Sequence, residues 1–444
     1  MKCLIIAAGK GARLSHEGDR KPLIHLLGIP LIERVIRCAI EAGIDQFAVV
    51  SGYNGDRVRS FLDDLAPRCG VNVTHVINSQ WEKGNGLSVL MAKEHLDEPF
   101  VLLMTDHLFD PDILRDLMTQ QPGKGEITLA VDHQLTSPFV DLDDVTRVST
   151  QGRKLRDIGK GLVDYDGFDT GIFVCTPAIF GAIERSIATH QDSSLSGGVR
   201  VLAADDKVNV FDTGMRFWID VDDPKGLAKA QRALLTQLRD KPNDGPVSRY
   251  LNRPLSVRIS RGLVQHDITP NQISVASFVI CVVAAILFAI GGYPALLLGA
   301  ILTQFASIID GCDGEVARLK FLTSDFGGWF DAVLDRYADA FLLLGLTWHT
   351  YAPGGSPLVV LIGLLAIIGS FMLSYTADKY DSLMRTRLAS GRSVRIGRDI
   401  RLLLIALGAA VNLPFMTLLL VAVLMNGEVV RRVWICRDPR TMPR

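Results

Sequence analysis

Beyond residue 270 the sequence becomes a series of apolar runs, at roughly 272–291, 295–317, 327–351, 356–378, 400–411 and 414–433. A bilayer's hydrocarbon core takes ~20 residues of helix, so five of these qualify outright and 400–411 needs its flanks. One homogeneous soluble fold is ruled out, and the expectation is an all-α domain of six transmembrane helices. Charge fixes its orientation. The loops Gly291-Gly292-Tyr293-Pro294, Ala352 to Pro357 and Asn412-Leu413-Pro414 carry no Lys or Arg. Basic residues gather before the first run (Arg249, Arg253, Arg258, Arg261), between the fourth and fifth (Lys379, Arg385, Arg387, Arg392, Arg395, Arg398) and in the tail (Arg431, Arg432, Arg437, Arg440, Arg444). Six crossings put all of these on the cytosolic side, with both termini, as the positive-inside rule requires. A multi-pass protein of the cell (inner) membrane is expected.

The first part of the chain reads differently. Residues 1–248 hold 28 basic and 35 acidic side chains against 19 and 13 in 249–444, so a net charge of −1 averages −7 and +6. Nothing in that balance suggests nucleic-acid binding. The seven cysteines show no CxxC and no regular spacing, which argues against a zinc site or a disulfide framework. Short apolar runs at 47–52, 73–77 and 100–104 read as strands, and Leu31 to Ala42 and Leu87 to His95 as helices. Such alternation predicts an α/β domain over 1–232 with a largely parallel sheet. The polar stretch 233–248 reads as a linker, and 249–444 as the membrane domain with a juxtamembrane helix. The apolar run 3–8 is too short for a signal peptide and leads into glycines, so it is expected to be a buried first strand in a cytosolic domain.

After that strand comes Gly9-Lys10-Gly11-Ala12-Arg13-Leu14, with Lys21-Pro22-Leu23 a few residues on. Glycines there let backbone N–H groups approach a polyphosphate, and Lys10, Arg13 and Lys21 offset its charge. The string from Leu4 to Leu14 with Lys21-Pro22-Leu23 resembles the signature of the sugar-phosphate nucleotidyltransferases. That resemblance implies a Rossmann-like mixed sheet and a nucleotide site at Ala7, Gly9, Gly11, Lys21 and Gly84, the last within Gln80 to Ser88. It implies metal-binding aspartates at Asp106 and, in Trp218-Ile219-Asp220, at Asp220. Lys160 would face the sugar phosphate, and Arg13 and Lys21 would act on the triphosphate. Asp106 as a helix cap and Asp220 as part of a solvated acidic turn are the plainer alternatives.

The membrane half carries a tighter constellation: Asp310-x-x-Asp313-Gly314-x-x-Ala317-Arg318, then Gly327-x-x-x-Asp331-x-x-x-Asp335. On helices, 310, 313, 314 and 317 share one face and so do 327, 331 and 335. Four carboxylates at a membrane helix pair are severely unfavourable unless they bind cations or face water. A two-metal site gripping a diphosphate is the economical reading. The pattern matches the motif of the CDP-alcohol phosphotransferases. The resemblance implies that Asp310, Asp313, Asp331 and Asp335 hold metal ions and that Asp310, Asp313, Gly314, Ala317 and Arg318 contact a CDP group. It also makes Asp335 the base that deprotonates the acceptor hydroxyl. Arg392, Arg395, Arg398 and Arg401 lie at the entry to the fifth run; Arg398 and Arg401 are candidates for holding an acceptor phosphate.

The order of the halves, with Ser248-Arg249-Tyr250-Leu251-Asn252-Arg253-Pro254 between them, resembles the bifunctional inositol-1-phosphate cytidylyltransferase/CDP-inositol inositolphosphotransferase family. This implies CTP and inositol 1-phosphate as substrates, CDP-inositol as intermediate, Mg²⁺ (or Mn²⁺) as cofactor and a homodimer. The product implied is phosphorylated di-myo-inositol phosphate, a precursor of a compatible solute. Transfer with a lipid partner, giving a phospholipid, stays open. A nucleotide-sensing N-terminal domain is disfavoured by the intact Gly11, Arg13, Lys21, Asp106 and Asp220. A cation transporter would leave Gly314, Ala317 and Arg318 without a role.

Overall fold

The computed structural model describes residues 1–14, 21–137, 140–239, 245–378 and 397–437 and divides into two compact units, Met1–Leu234 and Leu235–Arg444. Strands of the first unit are β1 Lys2–Ala7, β2 His25–Leu26, β3 Ile29–Pro30, β4 Gln46–Ser51, β5 Asn72–Ile77, β6 Phe100–Met104 and β7 His107–Phe109. They continue as β8 Ile127–Asp132, β9 Arg147–Gln151, β10 Lys154–Gly159, β11 Gly167–Cys175, β12 Val208–Asp212 and β13 Trp218–Asp220. The helices are α1 Leu31–Glu41, α2 Gly55–Cys69, α3 Gly86–Met91, α4 Pro111–Thr119, α5 Ala178–His190, α6 Leu195–Ala204 and α7 Pro224–Arg239.

Because β1 is apolar at five consecutive positions, it is buried on both faces, between β4 and β6. Nine strands follow the order β5-β4-β1-β6-β11-β8-β12-β10-β9. The first four are parallel, joined by helical crossovers, and β4, β5 and β6 fall on the three strand runs expected from sequence. The other half is mainly antiparallel: β11 runs against both β6 and β8, and only β8 and β12 run parallel. Its chain segments from β8 to β11 are linked without a helix, and β9–β10 turn on two residues, Gly152 (φ 63°) and Arg153. Short links reverse the chain, whereas parallel pairing needs a long crossover. The sheet is therefore mixed. Its core on one side closes under α5 and α6, where Phe100 stacks on Phe180 with centroids 5.6 Å apart. Helix α7 continues through residue 239, so the first residues of the stretch expected to be linker are helical.

The second unit holds α8 Arg253–Leu263, α9 Pro270–Ile290, α10 Tyr293–Leu319, α11 Asp325–Tyr351, α12 Pro357–Asp378, α13 Arg398–Ala410 and α14 Pro414–Arg437. Thr269 and Gln272 form a reciprocal capping box with Pro270 at the first turn, which starts α9 sharply. On α9 one row, Cys281, Ala284, Ala285 and Phe288, is buried, while Val275, Val279, Val283, Ile286 and Ile290 stand exposed. Similar apolar rows are exposed on α12, at Leu361, Leu364, Leu365, Ile368 and Met372. Faces of that kind are stable against lipid, not water. Gly345 lets α11 approach α9 closely; a Cβ there would collide with the Ala285 carbonyl.

Among the described residues, four helices (Pro270–Ile290, Tyr293–Leu319, Pro357–Ala377, Pro414–Trp434) are both long and apolar enough to cross a membrane. The chain is a membrane protein. The remaining two expected spans are helical too, with a difference. Helix α11 has the length but carries the acidic residues of the motif, and α13 has only 13 described residues. Lys379, Arg385, Arg387, Arg392, Arg395, Arg440 and Arg444, used above for orientation, lie outside the described residues.

Candidate functional site

Two carboxylates separated by 114 positions are brought together by a three-residue antiparallel pairing. Strand β13 pairs with β7 in the register Asp220↔His107, and the Val221 N–H donates to the Asp106 carbonyl at 2.9 Å. Asp106, His107 and Asp220 thereby offer ligand atoms all within 4.8 Å of one another. The His107 ring is held through Nδ1, 2.6 Å from the Thr170 carbonyl, leaving Nε2 3.8 Å from Asp106 and 3.7 Å from Asp220. Gly171 (φ 73°) makes this possible, since a Cβ there would overlap the imidazole. Asp220 Oδ1 is buried with no hydrogen-bond partner. A hard divalent cation satisfies that oxygen and fits this donor set.

Electrostatics divide the cluster. Burial alone would raise the Asp106 pKa, but Lys21, whose Nζ lies 2.6 Å from Oδ2, and His107 override it and hold the carboxyl down at about 2. Asp220 goes the other way: burial, opposed by His107 and reinforced by Asp106 and Asp222, pushes it up to about 7. Burial would lower His107, yet Asp220 and Asp106 outweigh burial and lift it to about 9. Lys21, also paired with Asp222, is raised above its ordinary value by Asp106 and Asp222 in spite of burial, so it stays charged.

A cavity beside the cluster is lined by Gly9, Gly11, Arg13, Lys21, Asn85 and Asp106 among others. Gly11 (φ 62°) sits against the Lys21 stem, where a side chain would displace it. Ala7, buried at the end of β1, and Gly84 are set back from this lining. Gly84 is instead packed on Ser193, to whose Oγ its N–H donates at 3.1 Å. The neighbouring Asn85 reaches the cavity, its Oδ1 taking the Leu195 N–H at 2.8 Å. A second cavity joins Asp106 and Asp220 to Arg13, Asp144 and Lys160. Asp144 accepts from Arg13 and, at 2.6 Å, from Lys160, and these two bonds depress its pKa.

In the membrane unit, α10 ends and α11 begins around the turn 320–324, so the late residues of one helix meet the early residues of the next. Ligand atoms of Asp310, Asp331 and Asp335 lie within 4.8 Å of one another. Asp313 accepts from Ser274 Oγ at 2.6 Å, and Asp310 from Ser277 Oγ at 3.4 Å, both on α9. Gly314 leaves room for Arg318, whose Nη1 would stand 3.4 Å from a Cβ there, and Ala317 is buried. Such an all-carboxylate set suits hard divalent ions.

Arg398, at the first turn of α13, enters this cluster: Nη1 is 2.7 Å from both Asp310 Oδ2 and Asp335 Oδ1. Arg401 does not. Its side chain is 1% exposed, bonded to Asp339, itself fully buried, and to the Ser370 carbonyl. Where Arg401 was expected to hold a substrate phosphate, the structure shows its guanidinium buried in a pairing with Asp339, with Nε buried and unpartnered among the described residues. Arg253, counted above among the basic residues before the first run, is buried as well, while Arg258 and Arg261 are exposed on α8.

Arg253 meets a residue that no motif pointed to. Glu315, with no exposed surface, accepts from Arg253 Nη1 (2.7 Å), Ser256 Oγ (2.6 Å) and Ser260 Oγ (2.7 Å), which fastens α8 to the back of the Asp310–Arg318 helix. Glu315→Ala would take a fully buried counter-charge away from Arg253, at a cost of about 3–5 kcal/mol. We expect a clear drop in thermal unfolding temperature in detergent, largely recovered in Glu315→Met/Arg253→Met. An unchanged melt in Glu315→Ala would refute this role.

Comparison with known proteins gives a consistent picture. Residues 3–164 match the model of the MobA-like NTP transferase domain, and residues 267–434 match that of the CDP-alcohol phosphatidyltransferases. The chain is 36% identical over 448 residues (98% of this chain, 97% of the relative) to the bifunctional IPC transferase and DIPP synthase of Rubrobacter xylanophilus. To the protein of the same name from Thermococcus kodakarensis it is 34% identical over 441 residues, covering 96% and 95%. Among solved structures, the inositol-1-phosphate CTP transferase from T. maritima superposes with a TM-score of 0.47 at 27% identity, covering 52% of this chain and 94% of that one.

Proposed function

The chain belongs to the bifunctional IPC transferase and DIPP synthase family, and on that premise we propose that it catalyses two consecutive transfers. The first unit makes CDP-inositol from CTP and inositol 1-phosphate, releasing diphosphate. The membrane unit then moves the inositol-phosphate group from CDP-inositol to a second inositol 1-phosphate, giving phosphorylated di-myo-inositol phosphate and CMP. The observation that carries this reading is the presence of two acidic clusters on one chain, Asp106/His107/Asp220, with Asp106 and His107 inside the NTP transferase match, and Asp310/Asp331/Asp335, inside the CDP-alcohol phosphatidyltransferase match.

In the first step Arg13 and Lys21 take up negative charge on the triphosphate, and Lys160 with Arg13 exchanges Asp144 for the phosphate of the polyol. Asp106 and Asp220 would hold Mg²⁺, which would supply electrostatic stabilisation for phosphoryl transfer. In the second, Asp310, Asp313, Asp331 and Asp335 take the ions, while Gly314, Ala317 and Arg318 bind the CDP group. Asp335 removes the acceptor's hydroxyl proton. Arg398 offers its guanidinium to the acceptor phosphate. We place the protein in the cell membrane with both termini cytosolic, and as a homodimer.

Phosphorus NMR of the detergent-purified protein with Mg²⁺, CTP and inositol 1-phosphate tests the whole sequence. CDP-inositol should appear first and then give way to a phosphodiester and CMP. Consumption only when lipid is added would identify a lipid acceptor; untouched CTP would overturn the inositol assignment.

Cation binding at Asp106 and Asp220 must displace protons. Asp220, at about 7, is largely protonated at pH 6, and His107 remains protonated up to about 9. Protons and the ion compete, so affinity rises with pH. The Mg²⁺ concentration for half-maximal CDP-inositol formation should fall by more than about tenfold between pH 6 and 7 and keep falling, less steeply with each pH unit, towards 9. A flat profile would show that neither group competes with the ion.

A further inference from the structure

The most unusual charge arrangement in the described residues is an arginine among the carboxylates assigned to cations. One nitrogen of Arg398 bridges Asp310 on α10 and Asp335 on α11 at 2.7 Å each. These are two of the three residues whose ligand atoms converge within 4.8 Å. We propose that Arg398 is a built-in counter-cation, filling the cation position of the membrane site until a divalent ion takes its place, and then turning to the acceptor's phosphate. This rests on the reading of Asp310, Asp313, Asp331 and Asp335 as the metal ligands.

The geometry supplies both ends of the exchange. A divalent ion and a guanidinium nitrogen would draw on the same two carboxylates and repel each other, so only one is held there at a time. When Nη1 leaves, Arg398 is not cast loose, because Nε lies 3.3 Å from Asp339 Oδ1. Asp339, fully buried one turn beyond Asp335, is fixed by Arg401 on its other oxygen. It is therefore a pivot, and it accounts for a buried acid and a buried arginine that the transfer chemistry does not use. Beside Arg398 opens a cavity of about 120 Å³ lined by Asn252, Arg253, Ser307 and Asp310. A guanidinium released towards it presents a forked donor pair to a phosphate monoester.

Two linked binding events follow. Ion binding frees the guanidinium, and phosphate captures it, so each strengthens the other by the same factor. The Asp310–Arg398–Asp335 bridge also ties α10, α11 and α13 together, its positive charge offsetting the repulsion between the two carboxylates.

The test is a Mn²⁺ titration of the full chain in detergent, reading free ion by EPR, in an Asp106→Ala/Asp220→Ala background that silences the soluble site. Inositol 1-phosphate is the acceptor probe, with its own Mn²⁺ binding subtracted. In the Arg398-intact protein the probe should tighten Mn²⁺ binding about tenfold. Arg398→Gln should bind Mn²⁺ about tenfold more tightly without the probe and show no response to it. Arg398→Lys keeps the charge but not the fork. It should bind Mn²⁺ near the Arg398-intact value with a reduced response, which separates charge exchange from general disruption. Weaker or unchanged Mn²⁺ binding in Arg398→Gln, together with loss of binding in Asp331→Asn, would overturn the counter-cation and leave the metal site standing. Full binding in Asp331→Asn would overturn the site assignment itself.

Discussion

With Asp335 replaced by Asn, the enzyme should convert CTP and inositol 1-phosphate to CDP-inositol and stop there. Asn keeps the shape of the side chain and one acceptor oxygen, but it takes no proton. A neutral polyol hydroxyl is a poor nucleophile towards a diphosphate, and a placed base contributes typically 10²–10⁴-fold. Asp335 also supplies one of the three converging ligand oxygens of its cluster and one of the two oxygens bridged by Arg398. Two losses act on one step, so we expect at least a thousandfold fall in phosphodiester formation. Phosphorus NMR should show CDP-inositol accumulating to the level set by CTP, with CMP absent. Asp335 belongs to the second unit and the first step is built from the first, so the rate of CDP-inositol formation should stay within a factor of two. Wild-type transfer by this variant would remove Asp335 from proton transfer and leave the base to another group.

How far sequence carries such a chain depends on how locally each feature is encoded. The motif from Asp310 to Asp335 was readable because helical spacing alone puts its members on facing surfaces of two consecutive helices, and a short turn brings them together. Strands β1, β4 and β6 were readable because unbroken apolar runs bury both faces, whereas β5, at the sheet edge, buries only Val76. Antiparallel β11 was not. Nothing in its own nine residues fixes its direction, which follows from the links between β8 and β11. His107 stood next to Asp106 in the sequence, but its membership of the cluster depends on Thr170 and Gly171, more than sixty positions away.

Charges were hardest to place. Arg253 and Arg401 looked like members of basic clusters facing the cytosol, and in composition they are. Their partners, Glu315 and Asp339, each lie 62 positions off and are fully buried. A buried ion pair leaves no periodic trace, because either half alone reads as an ordinary surface charge. Both pairs lie directly behind the proposed reaction centre. Glu315 fixes α8 to the helix of Asp310 and Asp313, and Asp339 fixes the arginine that touches Asp310 and Asp335. The carboxylates that would meet substrate could be found from spacing, while the groups that hold them needed the fold.

Asp106→Ala should abolish the first step and spare the second. Asp106 is the junction of the soluble site: its carboxylate takes Lys21 at 2.6 Å, stands within reach of His107, and converges with Asp220 on one cation position. Removing it deprives the ion of a ligand and frees Lys21, leaving that ammonium to Asp222 alone. Electrostatic stabilisation of phosphoryl transfer depends on such groups being placed in advance, and losses of 10³-fold or more are the expected scale. CTP consumption should fall at least a thousandfold, with no CDP-inositol detectable by phosphorus NMR. The backbone pairing of β7 with β13 survives, since it is made by main-chain groups, and the domain should stay folded. Added CDP-inositol and inositol 1-phosphate should then restore the phosphodiester at the wild-type rate. Mixing this variant with Asp335→Asn should restore the full sequence in trans, with a delay while CDP-inositol builds up. If added CDP-inositol fails to rescue Asp106→Ala although the protein is folded, the two steps are not separable between the units. If Asp106→Ala still forms CDP-inositol, the cation site of the first unit lies elsewhere.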